Sequence, residues 1–140
     1  MTANALDLAR FGTDLDLPID PAGSIRIPTS GDVPTISGRD NLLRAIARRL
    51  ATEPGALVHR PTYGCGILGY VGLANAPSVR SKLAIAIRKN LLQDSRLKDV
   101  SVTLAVGTPA DAADSGAITV TLVLTLRDDS TAPLTVTIAR

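Results

Sequence analysis

Few residues of this chain have the type and spacing that chemistry needs. Glycoside hydrolysis requires two carboxylates facing each other at a set separation. The candidates are Glu53, Asp94, Asp99 and the Asp111/Asp114 pair. Glu53 stands in a turn that ends a helical pattern, and Asp111 and Asp114 fall in a small polar loop, so nothing fixes two acids at a defined distance. His59 has the right pKa range for a general base, but it sits between Val58 and Arg60 with no nucleophile beside it and reads as a surface or interface histidine. Cys65, flanked by Gly64 and Gly66, has only Arg60 as a nearby activating cation and reads as small-residue packing. The glycines at 64, 66, 69 and 72 follow no strand and precede no Lys-Ser/Thr pair, so they make no phosphate loop. No catalytic residue, cofactor site or metal site is expected. One cysteine and one histidine make a poor metal set and allow no internal disulfide.

Two other constellations remain. The first is the stretch from Leu50 to Gly66, with Thr52, Pro54 and Gly55 followed by Pro61, Tyr63 and Gly64. Pro54 lacks a backbone donor and Gly55 tolerates positive φ, so a helix ends there. Pro61 and Gly64 set a second turn around Tyr63. This much punctuation predicts a loop with one required shape. The second is Asp94-Ser95-Arg96, directly after a helical pattern. Arg96 either complements the helix dipole or places its planar fork on carboxylates or carbonyls.

The elements that carry these residues follow from periodicity. Residues 1–36 hold many breakers and read as an extended N-terminal arm lying over something else, with short extended pieces at Asp14 to Leu17 and Ser24 to Ile27. A helix is expected over Gly38 to Ala51, with Ser37 as its cap and Leu42, Leu43, Ile46, Ala47 and Leu50 as its apolar stripe. Arg39, Arg44, Arg48 and Arg49 line the other face, either solvated or docking an acidic partner. A second helix spans about Ser78 to Gln93, entered at Pro77 and capped by Ser78; Val79, Leu83, Ala86, Ile87, Asn90 and Leu91 form its stripe. Period-two alternation then marks strands over Val100 to Val106, Ile118 to Leu126 and Leu134 to Ile138, with a turn at Asp128 to Ser130. The expected fold is α+β: two main helices packed on a small antiparallel sheet of three to four strands ending in a C-terminal hairpin, as a single domain over 37–140 behind the arm.

Composition narrows the function. The net charge of +2 is too weak to argue for nucleic acid, and three aromatic residues (Phe11, Tyr63, Tyr70) provide no base-stacking platform. No segment has the run of about 20 apolar residues that spans a bilayer, and Met1 to Arg10 lacks a signal-peptide core. Folding in a reducing compartment is the natural expectation.

The order of these motifs resembles a known family. Phe11-Gly12-Thr13-Asp14-Leu15, Ser37-Gly38, Asn41-Leu42, Arg49-Leu50-x-Thr52-x-Pro54-Gly55, Pro61-x-Tyr63-Gly64 and Asp94-x-Arg96 occur in the order of the baseplate wedge and sheath-initiator family of contractile injection machines. That family includes gpW-type baseplate proteins of contractile-tailed phages and the TssE subunit of type VI secretion. The resemblance implies a structural virion component of the tail baseplate, assembled in the host bacterial cytoplasm. Its implied partners are the tail sheath protein and other wedge subunits, with tube or hub proteins as further neighbours. It also implies a wedge interface at Asp94 and Arg96 and a sheath-docking edge along Leu134, Val136 and Ile138. The family's Glu-Pro-Arg triplet is Asp94-Ser95-Arg96 here, which keeps the arginine but shortens the acid and loses the proline. Two other classes remain: a small nucleic-acid-associated domain using the arginine face of the first helix, and a lysozyme-like hydrolase, which the carboxylates do not support.

Overall fold

The computed structural model describes residues 9–16, 29–70, 76–106 and 118–138. The described chain is α+β, with the order β1 (Thr13–Leu15), β2 (Thr35–Ser37), α1 (Gly38–Ala51), a 3-10 turn (Ile67–Tyr70), α2 (Pro77–Leu91), β3 (Leu97–Val106), β4 (Ile118–Leu126) and β5 (Thr131–Ile138). It divides into two compact units, Met1–Ala45 and Ile46–Arg140, so the boundary falls inside α1.

In the first unit, β1 and β2 pair antiparallel, Asp14 opposite Ile36. Phe11 is buried, and its carbonyl accepts a hydrogen bond from Asn41 Nδ2 at 2.8 Å. Asp16 pairs with Arg44. The N-terminal arm therefore carries a small ribbon and a buried anchor of its own. Asn41 belongs to α1, so this bond seats the Phe11 segment on that helix. The extended piece expected at Asp14 to Leu17 is a strand over Thr13–Leu15; the piece at Ser24 to Ile27 lies outside the described residues.

In the second unit, β3, β4 and β5 form an antiparallel meander. Val100, Leu122, Leu124, Leu126 and Ala132 are buried on one face, with Ile46 and Leu50 of α1 and Leu83, Ile87 and Leu91 of α2 also in the core. Alternation with exposed Ser101, Thr103 and Val123 is what a sheet with one covered face requires. The β4–β5 turn forms at Asp128 to Ser130: Asp129 takes φ 61°, a left-handed conformation that Asp tolerates, and Asp128 Oδ1 accepts from Ser130 N at 3.0 Å. α2 starts one residue earlier than expected. Ala76 is its N-cap, without a side-chain hydrogen bond, and Pro77 is the first helical residue. Ser78 is therefore inside the first turn and does not cap it. Proline at that position gives up a donor that has no partner anyway.

Ladder phase follows from the turn. Leu126 N donates to Ser130 O at 2.8 Å, so that pair is hydrogen-bonded. Bonded and non-bonded pairs alternate along an antiparallel ladder. Ala132, Leu134, Val136 and Ile138, opposite Leu124, Leu122, Val120 and Ile118, thus turn their backbone groups toward β4. Thr131, Pro133, Thr135 and Thr137 turn theirs outward. By the same alternation, Val100, Val102 and Leu104 of β3 turn theirs to the opposite edge.

Candidate assembly site

Sequence reading placed Arg49 on a solvated or docking face. The structure corrects this: Arg49 is only 8 % exposed. Burying a guanidinium is tolerable when its donors are met. Nε donates to Asn90 Oδ1 at 2.7 Å and one terminal nitrogen to Gln93 Oε1 at 3.0 Å. Its plane lies over the Tyr63 ring, 4.8 Å from the centroid. Its carbonyl accepts from Cys65 N at 3.0 Å. Asn90 passes the connection on, with Nδ2 donating to Gly64 O at 2.6 Å and Thr62 O at 3.3 Å. Arg49 thus ties the end of α1, the loop after it and the end of α2 into one body.

The loop after α1 is closed by a run of backbone bonds. Thr52 Oγ1 donates to Arg48 O at 2.7 Å as the helix ends. Gly55, at φ 86°, donates from N to Pro61 O at 2.8 Å, and Tyr63 N donates to Arg60 O at 3.0 Å. Gly66 N then reaches back to Thr52 O at 3.0 Å. Gly64 sits at φ 110°, where a Cβ would lie 2.3 Å from Thr52 O. Thr52, Gly55, Pro61, Tyr63 and Gly64 are therefore all used, and Pro54 packs where a Cβ on Gly66 would meet its Cδ at 2.8 Å. Cys65 is buried inside this closure. Burial pushes its thiol up to about 11, against the smaller opposing effect of the Arg49 charge. It is a protonated packing residue at neutral pH. At the loop's far side His59 is exposed, as expected, next to Val58 at 87 % exposure.

Asp94 and Arg96 meet each other. Arg96 Nε donates to Asp94 Oδ1 at 2.9 Å and a terminal nitrogen to Oδ2 at 2.7 Å, a bidentate pair. Asp94 Oδ1 also accepts from Arg96 N at 3.0 Å. That last bond is an Asx turn, which needs an acid short enough to reach the backbone two residues on. The shortened acid of the triplet thus has a local role in this chain. The Asp94 and Arg96 side chains are 12 % and 29 % exposed. Burial raises the Asp94 pKa, but hydrogen bonds from Arg96 and the charges of Arg96 and Arg49 outweigh it, and its carboxyl stays below the usual range. The Arg96 guanidinium is raised, first by the Asp94 hydrogen bond and, in smaller part, by Asp94 and Tyr63. The triplet and the Tyr63 turn therefore stand in one electrostatic neighbourhood with Arg49 between them.

Sequence reasoning missed Arg49 and Gln93 as site members and read Asn90 only as part of an apolar stripe. A signal existed: an amide amid Leu83, Ile87 and Leu91 needs a partner, and Arg49 opens the Arg-Leu-x-Thr motif. Leu134, Val136 and Ile138 lie on edge strand β5, with their backbone groups toward β4. Among the described residues, no three His, Cys, Asp or Glu side chains gather to hold a metal, and no helix is long and apolar enough to cross a membrane.

Comparison with known proteins places this geometry. The profile of the baseplate wedge protein gp25 family matches residues 36–131. Two solved structures share the fold. A Geobacter sulfurreducens protein called a tail lysozyme has TM-score 0.59 and 19 % identity, over 83 % of this chain and 96 % of its own. A chain of the anti-feeding prophage baseplate has TM-score 0.55 and 19 % identity, over 72 % of this chain and 78 % of its own. No curated protein matches. The matched span starts in β2, takes in the clamp, the Asp94–Arg96 pair and the sheet, and closes at the start of β5, and the chain belongs to the baseplate wedge protein gp25 family.

Proposed function

We propose that this structural baseplate protein joins the inner wedge ring of a contractile tail through Asp94 and Arg96, and templates the first sheath disc by strand addition at β5. Residues 37–140 act as one assembly module and 1–36 as its arm, in a virion baseplate assembled in the host cytoplasm. The observation that carries the reading is the bidentate Asp94–Arg96 pair, part-exposed and held next to a buried clamp. An arginine prepaid in its geometry by a local acid presents its remaining donors to a partner without further ordering.

A hydrolase is disfavoured by the acids themselves. Glu53 is exposed on the helix-ending turn, Asp94 is engaged by Arg96, Asp99 by Arg88 at 2.7 Å, and Asp111 and Asp114 lie outside the described residues. The nucleic-acid reading loses half of its arginines, because Arg49 is buried and Arg44 is paired with Asp16.

Arg96→Ala is expected to lower the melting temperature by only a few degrees, since the pair is partly solvent-screened. It is expected to block incorporation into baseplates, and Arg96→Lys to rescue poorly because an ammonium lacks the fork. Normal assembly of Arg96→Ala would remove the wedge assignment. At the sheet, Thr137→Pro removes an outward donor and is expected to leave the ladder intact yet stop sheath polymerisation from starting. Val136→Pro, which removes an inward donor, is expected to damage the fold itself. Sheath of normal length on a folded Thr137→Pro baseplate would rule out β5 as the template.

A further inference from the structure

The three-stranded sheet has a second edge, and it differs from the first. On β5 the outward row includes Pro133, which has no N–H, so strand addition there draws its donors from Thr131, Thr135 and Thr137 alone. On β3 the outward row is Val100, Val102 and Leu104, with no proline in the strand. The Val100 N–H is met by the Asp99 carboxylate, and among the described residues neither Val102 nor Leu104 makes a backbone hydrogen bond beyond the ladder.

Beside Leu104, between β3 and the start of α2, lies an open groove of about 290 Å³, lined by Pro77, Arg80, Ser81, Ala84 and Leu104. On α2 these positions lie to one side of the buried Leu83–Ile87–Leu91 stripe, and Asn90, which meets the Arg49 clamp, lies to the other. Ser81 and Ala84 are small, which leaves room over Leu104. Arg80 is half-buried in the wall, and among the described residues it pairs with no acid. The next cation along, Lys82, is exposed and equally without an acidic partner among them.

A helix beside an unpaired strand edge, with an apolar floor and one unmatched cation, has the chemistry of a strand-addition groove. Backbone pairing gives affinity, alternate side chains enter the groove, and the charge selects among segments. We propose that this groove takes an extended, acid-bearing segment of a neighbouring protein as a fourth strand beside β3, with a carboxylate facing Arg80. The sheet is then extended on both edges, and this contact is separate from the one assigned to β5.

The test uses the full chain, isotopically labelled, and a capped heptapeptide of alternating Thr and Val with a central Glu. Val100, Val102 and Leu104 amides are expected to shift and to exchange more slowly when it is added. A central Lys is expected to weaken binding about tenfold, as attraction becomes repulsion. Arg80→Gln is expected to abolish that preference, while a Gln-centred peptide still protects the same amides. Alternate N-methylation of the peptide is expected to eliminate binding. Four results would overturn the proposal. These are no change at the three amides at millimolar peptide, changes confined to Thr135 and Thr137, equal binding of the Lys peptide, and full protection of the three amides in the free chain, which would mean that the chain covers this edge itself. None depends on baseplate assembly, so failure here and failure of the wedge assignment are distinguishable.

Discussion

Gly64→Ala is expected to destabilise the protein by about 3–5 kcal/mol, or a fall in melting temperature on the order of 10–15 °C for a chain of this size. Two effects add. The backbone sits at φ 110°, where an L side chain is strained, and the new Cβ would lie 2.3 Å from Thr52 O. That oxygen is the acceptor for Gly66 N, so relieving the clash opens the closure of the loop. Asn90 would also lose its acceptor geometry at Gly64 O. Gly55→Ala is the control. It has φ 86°, but nothing lies within 4 Å of its would-be Cβ, so only backbone strain of about 1–2 kcal/mol applies. Denaturant melts of both variants measure the difference. Equal losses within about 0.5 kcal/mol would show that the close approach to Thr52 does not constrain the loop.

The second large effect is expected at Arg49. Arg49→Met fills similar space but leaves Asn90 Oδ1 and Gln93 Oε1 without donors and removes the cation from the Tyr63 face. Hydrogen bonds from a charged donor contribute about 1.5–3 kcal/mol, and half-buried Asn90 left without its donor adds to the loss, whereas exposed Gln93 turns to water. A loss of about 3 kcal/mol is expected, with less than half restored by Arg49→Lys, since one ammonium cannot span both amides and the ring. A cycle with Asn90→Ala should show coupling, because the two side chains share a bond. The loss also has a pH signature. Arg49 helps hold the Asp94 carboxyl below its ordinary range. A depressed carboxyl contributes stability that is present above its unfolded value of about 3.9 and is lost as pH falls through the folded value. The Asp94 pKa should therefore rise in Arg49→Met, and the penalty should shrink in acid. An Arg49→Met protein within about 1 kcal/mol of the parent at neutral pH would mean that the clamp is not what joins the loop to α2.

These expectations show which parts of the molecule could be read locally. The period-two runs found β4 at its observed bounds and β3 and β5 to within a few residues, because alternation is imposed by a sheet with one covered face. The bounds of α1 were legible because proline and glycine restrict the chain through their own backbones. The two-stranded ribbon of the arm was not legible, since three-residue strands pair through the backbone and leave no periodic pattern. Family order brought Asp94 and Arg96 to attention, but that they hold each other is a matter of geometry.

Other features depend on packing. Arg49 sits among arginines at nearly helical spacing on a polar face, and no local rule separates a solvated arginine from one that α2 covers with Asn90 and Gln93. The same holds for the two sheet edges. The elements, their order and the stops between them are local properties, because they depend on each residue's own backbone freedom and on apolar period. Which donors point outward, which arginine is buried and which groove stands beside an open edge depend on ladder phase and on contacts between residues about 40 positions apart. Those quantities exist only once the chain has folded.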